Sequence, residues 1–316
     1  MAQSKDAPED TSVDVSAEEE ASIRDQLPHR SPVLFEIIRR SGQEELERPL
    51  LALWWSGLAA GLSIGFSVLT PAMLRRWLPA ADWAILVSQI GYSVGFVIVI
   101  LSRQQLFTEN VITAVVPVMA KSHLHNLLLM LRLWAIVLVA NVVGGAVFAA
   151  FLVHGGAVDA PLAHAIHAVS EHLLEAGGGK SIASGVVSGF LIASLVWILA
   201  GVEGSKLSII VLMTSLIAIG GFDHVVAGSV EAMYLVLTGA QSLGDATTRF
   251  FLPTLFGNVL GGTALFTLLA YGQIRSELKD ERETVDDDAR ADSHGPADAP
   301  PVPAPRRKRS AASKKS

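Results

Sequence analysis

His224 and Thr108 stand where long apolar segments give way to polar residues, and a chemistry can be argued from each. Imidazole is the side chain whose unperturbed pKa lies closest to neutral pH, and an ionisable group within lipid is costly unless it faces a cavity or a partner. His224 follows Gly220-Gly221-Phe222-Asp223 and precedes the apolar run Val225 to Thr238. It either exchanges protons along a pathway or, as a neutral ring, bonds a carbonyl freed by a break in the helix. Thr108 lies in Arg103-Gln104-Gln105-Leu106-Phe107-Thr108-Glu109-Asn110, ahead of the short run Val111 to Ala120. Its hydroxyl either lines the same pathway or caps a half-helix, with Glu109 in the first turn. Glu231 falls two helical turns after His224, on the same face and about 10 Å away, as a proton-relay partner or as half of a helix contact. Lys206, ahead of another apolar run, either draws anions into a vestibule or simply flanks a span. His164, His167 and Glu171 have a spacing compatible with a metal, but Leu162, Ile166, Val169 and Leu173 explain that stretch as an amphipathic helix, so no metal and no other cofactor is expected. An intramembrane protease would pair Ser188 with His224 and needs a glycine two residues before the serine; position 186 is valine, and no enzymatic activity is expected.

Composition says what must surround these groups. Hydrophobic residues make up 51% of the chain and charged residues 17%, with the charges crowded into the two ends. A soluble globule needs a charged surface, so that class is excluded. Uncharged runs at 50–74, 84–102, 133–153, 181–202 and 250–271 each have about the 20 residues that a helix needs to cross a bilayer. The acidic start (Glu18, Glu19, Glu20) is unlike a signal peptide, so the mature chain is expected to begin near Met1. The absence of cysteine excludes disulfides and thiolate chemistry. Residues 1–31 and 276–316 are polar, charged and rich in Ala, Pro and Ser, and are expected to be disordered cytoplasmic tails, the first acidic and the second basic. Beside a bilayer, Arg306, Arg307, Lys308, Arg309, Lys314 and Lys315 are expected to meet anionic lipid rather than nucleic acid. Between the tails, 32–275 is expected to form one pore domain that opens with an interfacial helix over Val33 to Glu47.

Two segments do not read as ordinary spans. One breaks at 103–110 and the other at 220–224. Backbone that leaves the helix at membrane depth is tolerated only against protein or a water-filled path, so the breaks mark a pathway. Ala140-Asn141-Val142-Val143-Gly144-Gly145 returns as Gly257-Asn258-Val259-Leu260-Gly261-Gly262, an offset of 117 that places Phe107 on His224. Gly61-xxx-Gly65 is echoed by Gly185-xxx-Gly189, a spacing that lets helix backbones approach closely. The expected fold is an all-α integral membrane protein of six transmembrane helices in two inverted three-helix repeats, with the second and fifth helices broken. Arg39, Arg40, Arg48, Arg275, Lys279 and Arg282 place both termini in the cytoplasm, with Arg75 and Arg76 against the trend.

Across most of 33–275 the chain resembles the formate/nitrite transporter family, on three motifs in the family's order. Leu106-Phe107-Thr108 is similar to the loop of its interrupted second helix, Gly221-Phe222-Asp223-His224 to the break in its fifth, and Gly257-Asn258-Val259-Leu260-Gly261-Gly262 to its sixth-helix signature. Arg103 to Asn110 and Gly228-Ser229-Val230-Glu231 resemble most an uncharacterised bacterial branch. The resemblance implies an aquaporin-like subunit in a homopentamer of the bacterial inner membrane, one pore per subunit, passing small monovalent anions. It implies His224 as the central histidine, Thr108 as its loop partner, Tyr92, Phe96, Leu106, Phe107 and Ile217 as apolar rings that pinch the pore, and Lys206 as a basic position at the start of the fifth helix. The chain departs from the family in lacking the fourth-helix Asn before Ala193-Ser194-Leu195-Val196-Trp197, in Glu109 and in Glu231; Lys180 is the counterpart of the family's vestibule lysine. The expected activity is pH-dependent permeation of a small weak-acid anion. The alternatives are a channel for neutral solutes and a non-conducting sensor or scaffold.

Overall fold

The computed structural model describes residues 16–19, 29–121, 123–175, 177–202, 204–277 and 279, so nearly all of both expected tails lies outside the described residues. The chain divides into Met1–Gln273 and Ile274–Ser316; of the second unit, residues 274–277 are helical. A first helix, α1 (Ser31–Glu47), opens on Pro32, whose fixed φ suits a first turn. It buries Ile38 and Leu46. Ile38 joins Ile112, Val116 and Ala193 in one apolar cluster, so α1 is a packing element of the domain.

Among the described residues, five helices are long and apolar enough to cross a membrane: α2 (Leu50–Trp77), α3 (Asp82–Leu101), α5 (Leu124–His154), α7 (Gly178–Ala200) and α10 (Leu243–Glu277). Between them come α4 (Phe107–Ala120), α8 (Lys206–Ile219) and α9 (Val225–Leu237), shorter and equally apolar, and a surface helix, α6 (Ala160–Ser170), followed by a 3-10 turn over Glu171–Glu175. The order gives six spans, with α3–α4 as the broken second and α8–α9 as the broken fifth. Leu51, Trp77, Leu128 and Leu269 each expose more than half their surface, which suits hydrocarbon rather than water. The short second half of span two starts at Phe107, four residues before the expected Val111, so Phe107, Thr108, Glu109 and Asn110 belong to a helix and the break itself narrows to 102–106. The fifth-span break falls at 220–224 as expected.

Lipid offers no hydrophobic drive between helices, so close packing must come from small residues. A Cβ on Gly61 of α2 would meet the Asn141 backbone oxygen and lie 2.9 Å from the Gly144 Cα of α5. A Cβ on Gly189 of α7 would meet the Asn258 backbone oxygen and lie 2.8 Å from its Cα, and one on Gly185 would lie 3.2 Å from the Gly257 Cα, both on α10. Span one thus seats on span three as span four seats on span six, the pairing that an internal repeat requires. In α10 the turns widen to π geometry over Ala246–Phe251 and Leu260–Thr267, the second itself packed on α7, where a Cβ on Gly261 would lie 2.9 Å from the Phe190 nitrogen; such bulges gather at functional positions. Arg75 and Arg76, the residues against the charge trend, both have structural partners. Arg75 donates to the Ala168 carbonyl at 3.2 Å, and Arg76 pairs with Asp159 at 2.8 Å; both tie α2 to the 155–177 connection.

Gly189→Val forces α7 and α10 apart and is expected to cost about 1–3 kcal/mol, read as a lower melting temperature of the purified protein; Gly204→Val, whose Cβ would meet open space, leaves melting unchanged.

Candidate functional site

Each break leaves the first N–H of a half-helix without an intrahelical acceptor, and one asparagine answers each need. After α3 the chain passes through Arg103, held at φ 53, to an extended Leu106 that caps α4. The Phe107 N–H donates to Asn141 Oδ1 at 2.9 Å, and Asn141 Nδ2 donates to the carbonyls of Gln105 and Gly57, both at 2.8 Å. After α8 the turn needs a positive φ, supplied by Gly221 at 62°, and an extended His224 caps α9. The Val225 N–H donates to Asn258 Oδ1 at 2.9 Å, and Asn258 Nδ2 donates to the carbonyls of Gly185 at 2.9 Å and Asp223 at 3.1 Å. Each carboxamide therefore joins a half-helix start, the carbonyl two residues before it, and a glycine carbonyl on the neighbouring span.

This geometry corrects the sequence alignment by one residue. The half-helix start precedes its asparagine by 34 residues in the first repeat and by 33 in the second. Phe107 is therefore equivalent to Val225, and His224 to Leu106.

The two half-helix starts meet through their side chains. Thr108 Oγ1 lies 2.7 Å from His224 Nε2, both buried. His224 Nδ1 accepts the Ala227 N–H at 3.2 Å and so caps α9 with its own ring. A nitrogen that accepts cannot carry the proton, so in this arrangement the proton is on Nε2, which donates to Thr108. Thr108 is accordingly a partner of the histidine in the first turn of α4 rather than a helix cap. The Phe96 ring meets the imidazole edge-on at 5.0 Å, and Tyr92 packs on Phe96 at 5.3 Å.

On one side of His224 opens a cavity of about 510 Å³, on the face that carries the 155–177 connection. Tyr92, Ile217, His224 and Glu231 line it, together with Arg75, His172, Lys180 and Asp223. Of the sequence-derived residues, Phe96 and Thr108 touch the histidine, and Leu106 is buried at the cap of α4. Phe107 is buried as the first residue of α4, with its ring 5.9 Å from Trp134. Lys206 does not belong to this group. It is exposed at the start of α8, at the other end of that helix from the break, and it lines no part of the cavity; Lys180 does line it. Ser188 is occupied with backbone, donating to the Asp223 carbonyl and accepting from Asn258 Nδ2 at 2.9 Å. Sequence reasoning missed the bridging role of Asn141 and Asn258, although the repeat that contains them was the available signal. It missed His172 and Ser184 as well; Ser184 Oγ accepts the Asp223 N–H at 2.7 Å.

A profile of the family described as "Formate/nitrite transporter" matches residues 32–272. The chain is similar to the inner membrane protein YfdC of Escherichia coli (strain K12), with 40% identity over 82% of this chain and 84% of that one. Among solved structures it is similar to an "FNT family ion channel" (TM-score 0.63, 21% identity, covering 77% of this chain and 96% of that one). It is also similar to a "Pentameric formate channel with formate bound" (TM-score 0.58, 18% identity, covering 72% and 97%). These bear out the expected family and six-helix fold, and the YfdC likeness bears out the bacterial branch.

Asn258→Leu would orphan the Val225 N–H, at about 1–3 kcal/mol, and take one of the donors from the Gly185 and Asp223 carbonyls, which keep Ser188; a loss of about that size is expected in thermal or denaturant unfolding, and Asn141→Leu, which orphans the Phe107 N–H, should match it.

Proposed function

The chain belongs to the formate/nitrite transporter family, and on that premise we propose that it is a pH-dependent channel or transporter for small monovalent weak-acid anions, with His224 at the centre of its pore. As in the rest of that family, its task is transport and not enzymatic turnover. It is a multi-pass protein of the bacterial inner membrane, with both termini in the cytoplasm and the cavity facing outward. Five copies assemble, each with its own pore.

The observation that carries this reading is the Thr108–His224 contact, 2.7 Å across the meeting point of two half-helix N-termini. Helix N-termini carry partial positive charge and free N–H groups, which favours an anion in front of them. The surroundings work against an ion. Phe96, Leu106 and Phe107 are buried close to the pair, and a bare anion among apolar walls costs several kcal/mol. Crossing as the neutral acid relieves most of that cost; the proton comes from the aqueous cavity, and the Nε2–H of His224, shared with the Thr108 hydroxyl, is placed to hydrogen-bond the solute as it passes. Tyr92 and Ile217 line the cavity with His224 and in this reading are the apolar side chains that screen the solute.

A second reading, a pore for neutral solutes only, is favoured by Asp223, Glu231 and Glu175 in the cavity wall, since carboxylates repel an arriving anion. Electrophysiology separates the two: formate-dependent current in a planar bilayer supports anion passage, and solute flux without current supports the neutral pore.

His224→Ala removes that N–H and the cap of α9 together, and formate uptake into proteoliposomes is expected to lose its pH dependence. Uptake unchanged in rate and pH profile would remove the histidine from the mechanism. Thr108→Val keeps the shape and deletes the hydroxyl that accepts from His224 Nε2, and is expected to lower uptake about tenfold or more, the scale of one buried hydrogen bond lost.

A further inference from the structure

The cavity holds a second titratable pair, one that the contact at His224 does not use. Glu231 projects from α9 two turns past His224, with a side chain only 6% exposed, and lines the cavity. Among the described residues, the basic group within ion-pair reach is His172, whose Nε2 lies 3.6 Å from Glu231 Oε2. His172 sits on the 3-10 turn after α6 and is 51% exposed, so one partner of the pair meets bulk water and the other meets the interior of the pore.

Hydrogen bonding fixes which atom of His172 can exchange a proton. Its Nδ1 lies 3.0 Å from the Val169 carbonyl. A carbonyl only accepts, so Nδ1 carries hydrogen, and Nε2 is the nitrogen that gains or loses a proton. A neutral His172 opposite an ionised Glu231 would set lone pair against lone pair, an arrangement relieved by one proton on either partner. At 3.6 Å the two atoms are beyond hydrogen-bond length, so the proton passes through one bridging water. Other charged and titratable groups face the pair from every side: Arg75 on α2, Glu175 on the 3-10 turn, Lys180 on α7, Asp223 and His224 at the break, and Tyr92 on α3. Arg75 is anchored to the Ala168 carbonyl and His172 to the Val169 carbonyl, so this part of the wall is held in place.

We propose that His172 and Glu231 form a proton-exchange pair that loads a proton onto a weak-acid anion in the cavity, before it reaches the Tyr92–Ile217 level. His172 Nε2–H gives its proton to the Glu231 carboxylate, the Glu231 O–H gives it to an oxygen of the anion, and the ionised carboxylate then takes the next proton, which His172 draws from bulk water. No net charge is left behind after each solute passes. The anion leaves the cavity as the neutral acid, which the apolar level below admits. This deepens the transport reading and rests on it.

The test uses the full-length protein in proteoliposomes with sodium formate as the probe, comparing wild type, His172→Gln, Glu231→Gln and the double variant. Each single variant is expected to cut uptake about tenfold at external pH near 7.5 and much less near pH 5, where formic acid is more abundant, with the double variant no worse than either single one. Uptake profiles of both single variants that superimpose on wild type would overturn the pair. A readout independent of flux keeps the two readings apart. In pH-difference infrared spectra, a protonated-carboxyl band lost in Glu231→Gln should change its pH dependence in His172→Gln. If wild type moves no formate and that coupling is seen, the pair stands and the transport reading falls; if the band ignores His172→Gln, the pair falls whatever the flux.

Discussion

Two asparagine side chains make the rest of this structure possible. A backbone that leaves its helix inside lipid exposes N–H and carbonyl groups with no water to satisfy them, and in each break Asn141 or Asn258 supplies one acceptor and at least two donations to close the account. Because each carboxamide also holds a glycine carbonyl on the neighbouring span, the break is secured to the same helix pair whose glycines bring the backbones together. The contact between the two half-helix starts is a consequence of that arrangement. Once both half-helices are fixed at their starts, Thr108 and His224 have nowhere to be except against each other.

Much of this was legible in the chain, because membrane depth turns composition into geometry. The five long spans follow from runs without charge, the breaks from polar residues inside such runs, and the pairing of spans from glycines four apart. What the sequence could not show was register. Thr108, Glu109 and Asn110 read as loop because they are polar, yet they form the first turn of α4, since the acceptor for the Phe107 N–H lies on α5, far along the chain. The one-residue difference between repeats had the same origin, because equivalence is defined by which N–H each asparagine receives and not by the motif around it. Lys206 and Lys180 were separable only once the cavity had a location. Both flank apolar helices, and folding alone decides which of them looks into the vestibule.

The cavity above His224 is not a simple funnel for anions. Cationic Arg75 and Lys180 share its wall with Asp223, Glu231 and Glu175, so its field has no single sign and gives a permeant anion little steering. A wall of mixed charge suits a site where protons change hands more than one that concentrates ions. The motifs shared with the family meet at the Thr108–His224 contact, while one departure from them, Glu231, lines the cavity.

The cap on α9 has one more consequence. A histidine can conduct protons as a wire, accepting on one ring nitrogen and releasing from the other, and a pore containing such a wire would drain the ion gradient of the cell whether or not solute moved. Here Nδ1 is engaged by the Ala227 amide and only Nε2 faces the pathway. The ring therefore offers one fixed N–H and no second open nitrogen: it can donate a hydrogen bond but cannot hand a proton from one side to the other.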